Sequence, residues 1–273
     1  MNGALDAVRM RRALLDALEA LASHSDSVVI IGAQAVYVWT SGMQIALAES
    51  TKDVDLALNA RTLGADPLLE DAMTSAGFHP NPTSKQPGAW TNAQGIDVDL
   101  MVPEAQAGRR SRRSAHIPPH DTRAARRAVG LEAAVVDNAV REIVSLDPAD
   151  GRVIRARVAT PGALLVAKLH KIGERVHAGG QRAQDKDAHD VYRLLTAIPT
   201  ADFLASWQRL RRDVLSEAVT RRSLTLLADL FADGPRAPGS VMAGRAEEGV
   251  GDPAQVAASV AFLARDLADG LRS

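Results

Sequence analysis

Along the first 160 positions the apolar residues change period, from helical to alternating and back. Leu5, Val8, Leu14, Leu15, Leu18 and Leu21 recur at near-helical spacing and predict an amphipathic helix over 4–23. The β-branched run 27–31 leads straight into Gly32-Ala33-Gln34-Ala35, which reads as a strand turning tightly into a helix. From 52 to 58 the alternation is strict, with Val54, Leu56 and Leu58 on one face and Asp53, Asp55 and Ala57 on the other. The segment 96–102 repeats it, with Ile96, Val98, Leu100 and Val102 set against Asp97, Asp99 and Met101. Between these strands, 66–76 reads as a helix stopped by Gly77, and 81–88 as a proline-containing polar loop.

The later part of the chain is mainly helical in pattern. Segments 142–146 and 152–158 flank Asp147-Pro148-Ala149-Asp150-Gly151, whose residues supply the dihedrals of a hairpin turn. Thr160-Pro161 then opens a helix, with a hydroxyl as N-cap and proline where its missing N–H does no harm. Helices are predicted over 161–177, 186–197, 201–232 with a break, and 253–271, while 234–252 reads as a Gly/Pro loop. A chain of 273 residues fits one large domain or two modest ones, and we expect two parts, 1–159 and 160–273.

Composition narrows the chemistry. The net charge of -1 gives no global attraction to nucleic acid or anionic membrane, so any basic surface must be local. Cysteine is absent, which removes disulfides, thiolate metal sites and cysteine nucleophiles. Charged residues interrupt the first helix, unlike a signal peptide, and no stretch is long and apolar enough to span a bilayer; a cytoplasmic protein is the expectation.

Two acids at i and i+2 on a strand share a face, their Cα atoms roughly 7 Å apart. Here two such strands occur, Asp53-Val54-Asp55 and Asp97-Val98-Asp99, each inside apolar alternation that buries the opposite face. Clustered carboxylates repel one another unless cations neutralise them, and oxygen-only ligands favour Mg²⁺ or Mn²⁺ over zinc. A two-metal centre of this kind suits in-line attack at phosphorus. Further on, Lys168, Lys171 and Arg175 share a helix face at i, i+3 and i+7, beside the stripe Leu165, Leu169, Ile172 and Val176. On an arbitrary helix this is a solvated basic face; beside a carboxylate-metal centre it becomes a triphosphate clamp. Seven arginines between 109 and 127, with Asp121 as the one acid among them, read as an exposed insertion, either a phosphate-binding surface or a solvated loop.

The turn Gly32-Ala33-Gln34, the segment Thr51-Lys52-Asp53-Val54-Asp55 and the segment Val98-Asp99-Leu100 together resemble the nucleotidyltransferase superfamily that includes DNA polymerase β. The run Leu164-Leu165-Val166-Ala167-Lys168-Leu169-His170, then Arg175, then Lys186-Asp187-Ala188-His189-Asp190, is similar to the AbiEii-like and MenT-like toxin nucleotidyltransferases. The likeness spans roughly residues 27–195. It implies an α/β (α+β) fold, with a mixed sheet flanked by helices followed by an all-helical C-terminal part that completes the nucleotide site. It further implies Mg²⁺ or Mn²⁺ held by Asp53, Asp55 and a third acid, with Asp97 and Asp99 competing for that role and the family context favouring Asp99. Lys168 and Arg175 are implied to grip phosphate, Asp187 and Asp190 to support the nucleotide pocket; Gly32, Gln34, Ser50, Thr51 and Lys171 complete the candidate set. Two departures stand out: Gln34 replaces a frequent serine, and Glu49-Ser50-Thr51 lacks the arginine common in the toxin relatives.

The implied activity is transfer of a nucleoside monophosphate from a nucleoside triphosphate to an acceptor hydroxyl. By the same likeness the acceptor is the tRNA 3′ end, the biological setting a toxin–antitoxin pair, and an antitoxin the partner. The alternatives are a small-molecule acceptor of the aminoglycoside type, a protein acceptor, or a catalytically dead nucleotide-binding module.

Overall fold

The computed structural model describes residues 2–41, 53–109, 113–178 and 185–272. The chain divides into two compact units, Met1–Ala35 with Ser50–Ala159, and Val36–Glu49 with Thr160–Ser273.

The first unit is built on an open mixed sheet. Its elements in order are helix α1 (Asn2–Ala20), strand β1 (Val28–Ile30), the start of helix α2 (Gly32–Thr40), β2 (Asp53–Leu58), α3 (Leu69–Ser75), β3 (His79–Pro80), β4 (Ala89–Thr91), β5 (Asp97–Pro103), β6 (Arg126–Ala128), α4 (Glu132–Val136), β7 (Asn138–Val144) and β8 (Val153–Ala159). The strand order is β3-β4-β5-β2-β1-β8-β7, and β6 continues along the β4 edge of β5. Strand β2 runs parallel to β5 and antiparallel to β1, so the two acid-bearing strands are neighbours near the middle of the sheet. The alternation predicted for them holds: Val54, Leu56, Leu58, Val98, Leu100 and Val102 are all fully buried. Leu14, Leu15 and Leu18 of α1 are buried in the same unit. Arg152 ties the β7–β8 turn to α1, reaching Asp16 at 2.7 Å, Glu19 at 3.0 Å and Asp150 at 2.7 Å.

Segment 108–127, of which 110–112 lie outside the described residues, is only in part the exposed insertion that its arginines suggest. Ala115, Ile117, His120, Ala124 and Ala125 are buried, and Arg126–Ala128 adds a parallel strand to β5. Its apolar residues are few and widely spaced, so they leave no period to read. His120 locks it in place: Nδ1 accepts from the Leu69 backbone N–H at 3.2 Å, and Nε2 donates to the Gly64 carbonyl at 3.0 Å.

The second unit is helical, comprising the end of α2 with α5 (Pro161–His177), α6 (Asp185–Ala197), α7 (Thr200–Leu210), α8 (Glu217–Leu227), a π-helical turn at Ala228–Ala232, α9 (Pro238–Arg245) and α10 (Pro253–Arg272). Thr160 caps α5 by accepting from the Ala163 N–H at 3.4 Å, with Pro161 in the first turn, as the sequence predicts. Trp207 is fully buried, its Nε1 donating to the Gly162 carbonyl at 3.0 Å. Helix α9 lies inside the segment read as a loop. Its glycines are packing residues there: a Cβ on Gly239 would meet the Phe231 ring at 2.5 Å and the Leu230 carbonyl at 2.8 Å, and one on Gly244 would meet the Pro253 carbonyl at 2.5 Å. Among the described residues no helix is long and apolar enough to cross a membrane.

Two outcomes follow for stability. Gly239→Ala forces side chain against ring and backbone, and should cost about 1–3 kcal/mol in urea unfolding. Burial lowers the His120 pKa from its ordinary 6.5. The unfolded chain therefore takes up a proton first as pH falls, and stability should decline from about pH 6.5 downward. Urea midpoints measured from pH 7.5 to 5.5 should show this fall in the native protein and a smaller one in His120→Gln.

Candidate active site

The register of β2 against β5 sets the geometry. Asp53 pairs with Asp97 and Asp55 with Asp99, so two same-face acids on one strand lie beside two on the next. Asp53, Asp55 and Asp99 each offer a carboxylate oxygen, and these atoms lie within 4.8 Å of one another. Asp97 stands outside this group, its Oδ1 accepting from Asn81 Nδ2 at 2.8 Å. Of the two competing third acids, Asp99 is thus the one the fold brings to the cluster.

Gly32 is required twice at this point. Its φ of +65° lies in the left-handed region, and a Cβ there would come 2.2 Å from Asp55 Oδ2. The Ile31 N–H donates to the Asp55 carbonyl at 3.1 Å, fastening the turn to β2. The first turn of α2 therefore lies directly against the acid cluster, as the tight strand-to-helix reading anticipates. Gln34 is buried and its Oε1 accepts from Arg11 Nε at 3.1 Å, which occupies the side chain inside the unit. Ser50 and Thr51 lie outside the described residues.

The electrostatics are those of clustered carboxylates. Burial raises the Asp99 pKa, Asp55 and Asp53 raise it further, and Arg126 acts in the opposite direction. Arg126 reaches Asp99 from β6, its Nη2 donating to Oδ2 at 2.6 Å. Arg127 pairs with Glu104 at 3.3 Å, while Arg109 and Arg123 are exposed. In the sequence Arg126 is one of seven arginines; only the pairing of β6 with β5, which has no hydrophobic signature, singles it out. Three carboxylates at this spacing, with no soft donor among them, fit a hard divalent cation.

The second unit holds its own charged cluster. Lys168 is buried, with Nζ 2.7 Å from Asp187 Oδ1 and 2.6 Å from Asp190 Oδ2. Lys171 at 3.1 Å and Arg175 at 2.6 Å also meet Asp187. Burial opposes the charge on Lys168, but the two carboxylates outweigh it and hold its pKa above the ordinary lysine range. Burial likewise opposes ionisation of Asp187, and Lys168 with its neighbouring cations overrides that, holding its pKa below the carboxylate range. Asp187 is therefore the buried centre of the network. Nearby, Arg193 donates to Thr40 Oγ1 at 3.1 Å and lies over the Tyr37 ring at 5.3 Å. His189 and Glu247 form a buried pair at 2.5 Å, a packing role for His189 that links α6 to the segment after α9.

With this geometry in place, comparison with known families is decisive for the class. The family described as "Nucleotidyltransferase" matches residues 9–211, and the chain belongs to it. It is a nucleotidyl-transferring enzyme that uses a nucleoside triphosphate as substrate, and the family typically employs a divalent metal. Searches of curated proteins and of solved structures gave no match.

The buried network makes a sharp contrast between neighbours on α5. Lys168→Met leaves Asp187 and Asp190 short of their common cation and should cost about 3–5 kcal/mol in denaturant unfolding. Lys171→Met, at a site 37% exposed, should cost under about 1 kcal/mol.

Proposed function

We propose that this enzyme is a divalent-metal-dependent nucleotidyltransferase that moves a nucleoside monophosphate onto a tRNA 3′-end hydroxyl, as the toxin of a toxin–antitoxin pair. One observation carries the metal dependence: three carboxylates from two adjacent strands converge within 4.8 Å in a chain of this family. Asp53, Asp55 and Asp99 are the residues that hold the cation, which we take to be Mg²⁺ or Mn²⁺. When bound, such a cation supplies the positive charge that a triphosphate and three carboxylates together demand.

The chain's own residues account for the rest. Gly32 keeps Asp55 against the first turn of α2, so that the carboxylate is placed by backbone rather than by a flexible neighbour. Lys168 serves as the fixed counter-charge to Asp187 and Asp190, and the partly exposed Lys171 and Arg175 are the phosphate contacts that the likeness of the 164–190 motifs implies. In the reaction the acceptor oxygen bonds to the α-phosphorus, the bond to pyrophosphate breaks, and the hydroxyl proton is released. The tRNA acceptor, the toxin role and the antitoxin partner are supported by the likeness of the 164–190 motifs to the AbiEii-like and MenT-like enzymes. The exposed Arg109 and Arg123 favour a polyanionic acceptor over a small molecule.

The test is incubation of the purified protein with each labelled nucleoside triphosphate, Mg²⁺ and total tRNA, beside an Asp53→Ala/Asp55→Ala control. We expect label on tRNA in the native protein and background in the control. Label confined to protein would replace tRNA with a protein acceptor. Absence of label on both, with triphosphate binding intact, would send the search to small-molecule acceptors.

A further inference from the structure

Arg126 brings a fixed cation to the edge of the acid cluster. Strand β6 pairs with β5 so that Arg126 lies opposite Met101, on the face that carries Asp99. Its guanidinium holds Asp99 Oδ2 at 2.6 Å. As stabilisation this contact is poor value: the side chains are only 25% and 18% exposed, and the cost of desolvating both charges offsets much of their attraction. The Arg126 Nε is meanwhile buried with no hydrogen-bond partner among the described residues, which costs stability. The arrangement is better explained by what it does to the carboxylates.

A cation fixed on one carboxylate of a metal-binding group has two opposing effects. It orients the ligand, which strengthens binding, and it repels the incoming metal, which weakens it. Asp99 sits on a strand paired with β2 along one edge and with β4 and β6 along the other, so its backbone is already held and the orientation left to gain is confined to the short side chain. Repulsion from a full positive charge at hydrogen-bond distance is then the larger effect. We infer that Arg126, paired with Asp99, weakens divalent-metal binding in the nucleotide-free enzyme through its charge, so that full occupancy of the centre awaits the negative charge of the triphosphate. This rests on the reading of Asp53, Asp55 and Asp99 as the metal centre. It assigns to one member of the arginine-rich segment a task distinct from contact with an acceptor.

Mn²⁺ binding to the full-length protein, followed by calorimetry and by the paramagnetic resonance of free Mn²⁺, tests it without reference to turnover. The samples are the native protein, Arg126→Gln, Arg126→Met, Arg126→Lys and Asp53→Asn/Asp55→Asn, each with and without a non-hydrolysable triphosphate. We expect both neutral variants to bind Mn²⁺ alone roughly tenfold more tightly than the native protein, with a smaller gain on adding nucleotide. Arg126→Lys should stay close to native. A purely structural role for Arg126 could not raise metal affinity, and two neutral variants with unchanged or weaker binding would overturn the inference. If the native protein shows no Mn²⁺ binding that depends on Asp53 and Asp55, even with nucleotide, the metal-centre reading falls with it. If that binding is present and Arg126 is without influence, the inference about Arg126 falls alone.

Discussion

The parallel, in-register pairing of β2 with β5 is the constraint on which the rest of the first unit depends. It sets Asp53 beside Asp97 and Asp55 beside Asp99 and brings three carboxylates within 4.8 Å. Their repulsion opposes folding, and the sheet resists it through the buried residues on the opposite face, chiefly Val54, Leu56, Val98 and Leu100. A cluster that is uphill in charge and held by apolar burial is preorganised: the carboxylates need not be gathered when a cation arrives. Gly32 belongs to the same design, because only a residue without Cβ leaves room for Asp55 against the turn.

Charge in the second unit is handled in the reverse way. Three cations on one face of α5 meet Asp187, with Asp190 sharing Lys168, so that most of the charge is satisfied internally. The sequence shows those cations as a stripe, read beside a carboxylate-metal centre as a triphosphate clamp. The structure adds that Lys168 is buried and committed to carboxylates, while Lys171 and Arg175 retain exposed surface. A residue that looks like a ligand contact in a motif can thus be a support for its neighbours. The distinction depends on burial, which a motif does not record.

What the sequence made legible was whatever has a period. The acid-bearing strands, the turn at Gly32, the β7–β8 hairpin and the capped start of α5 follow from alternation, turn residues and capping residues. The choice of Asp99 over Asp97 did not follow from periodicity, since both occupy the same face; the family context favours Asp99, and in the structure Asp97 is bonded instead to Asn81, from the loop after β3. Helix α9 was hidden because its glycines look like breakers when taken one at a time, whereas in the fold they permit close packing against Phe231 and Pro253. Arg126 was hidden among seven arginines, because a three-residue strand carries too little pattern to reveal its pairing.

Divalent metal held by the Asp53, Asp55 and Asp99 cluster is what every other proposed role depends on. Anomalous scattering from crystals grown with Mn²⁺ and a non-hydrolysable nucleoside triphosphate tests that directly. The predicted result is manganese coordinated by Asp53, Asp55 and Asp99, with the triphosphate oxygens completing the coordination and Asp97 still bonded to Asn81. Manganese bound elsewhere, or a triphosphate seated away from these three carboxylates, would contradict it.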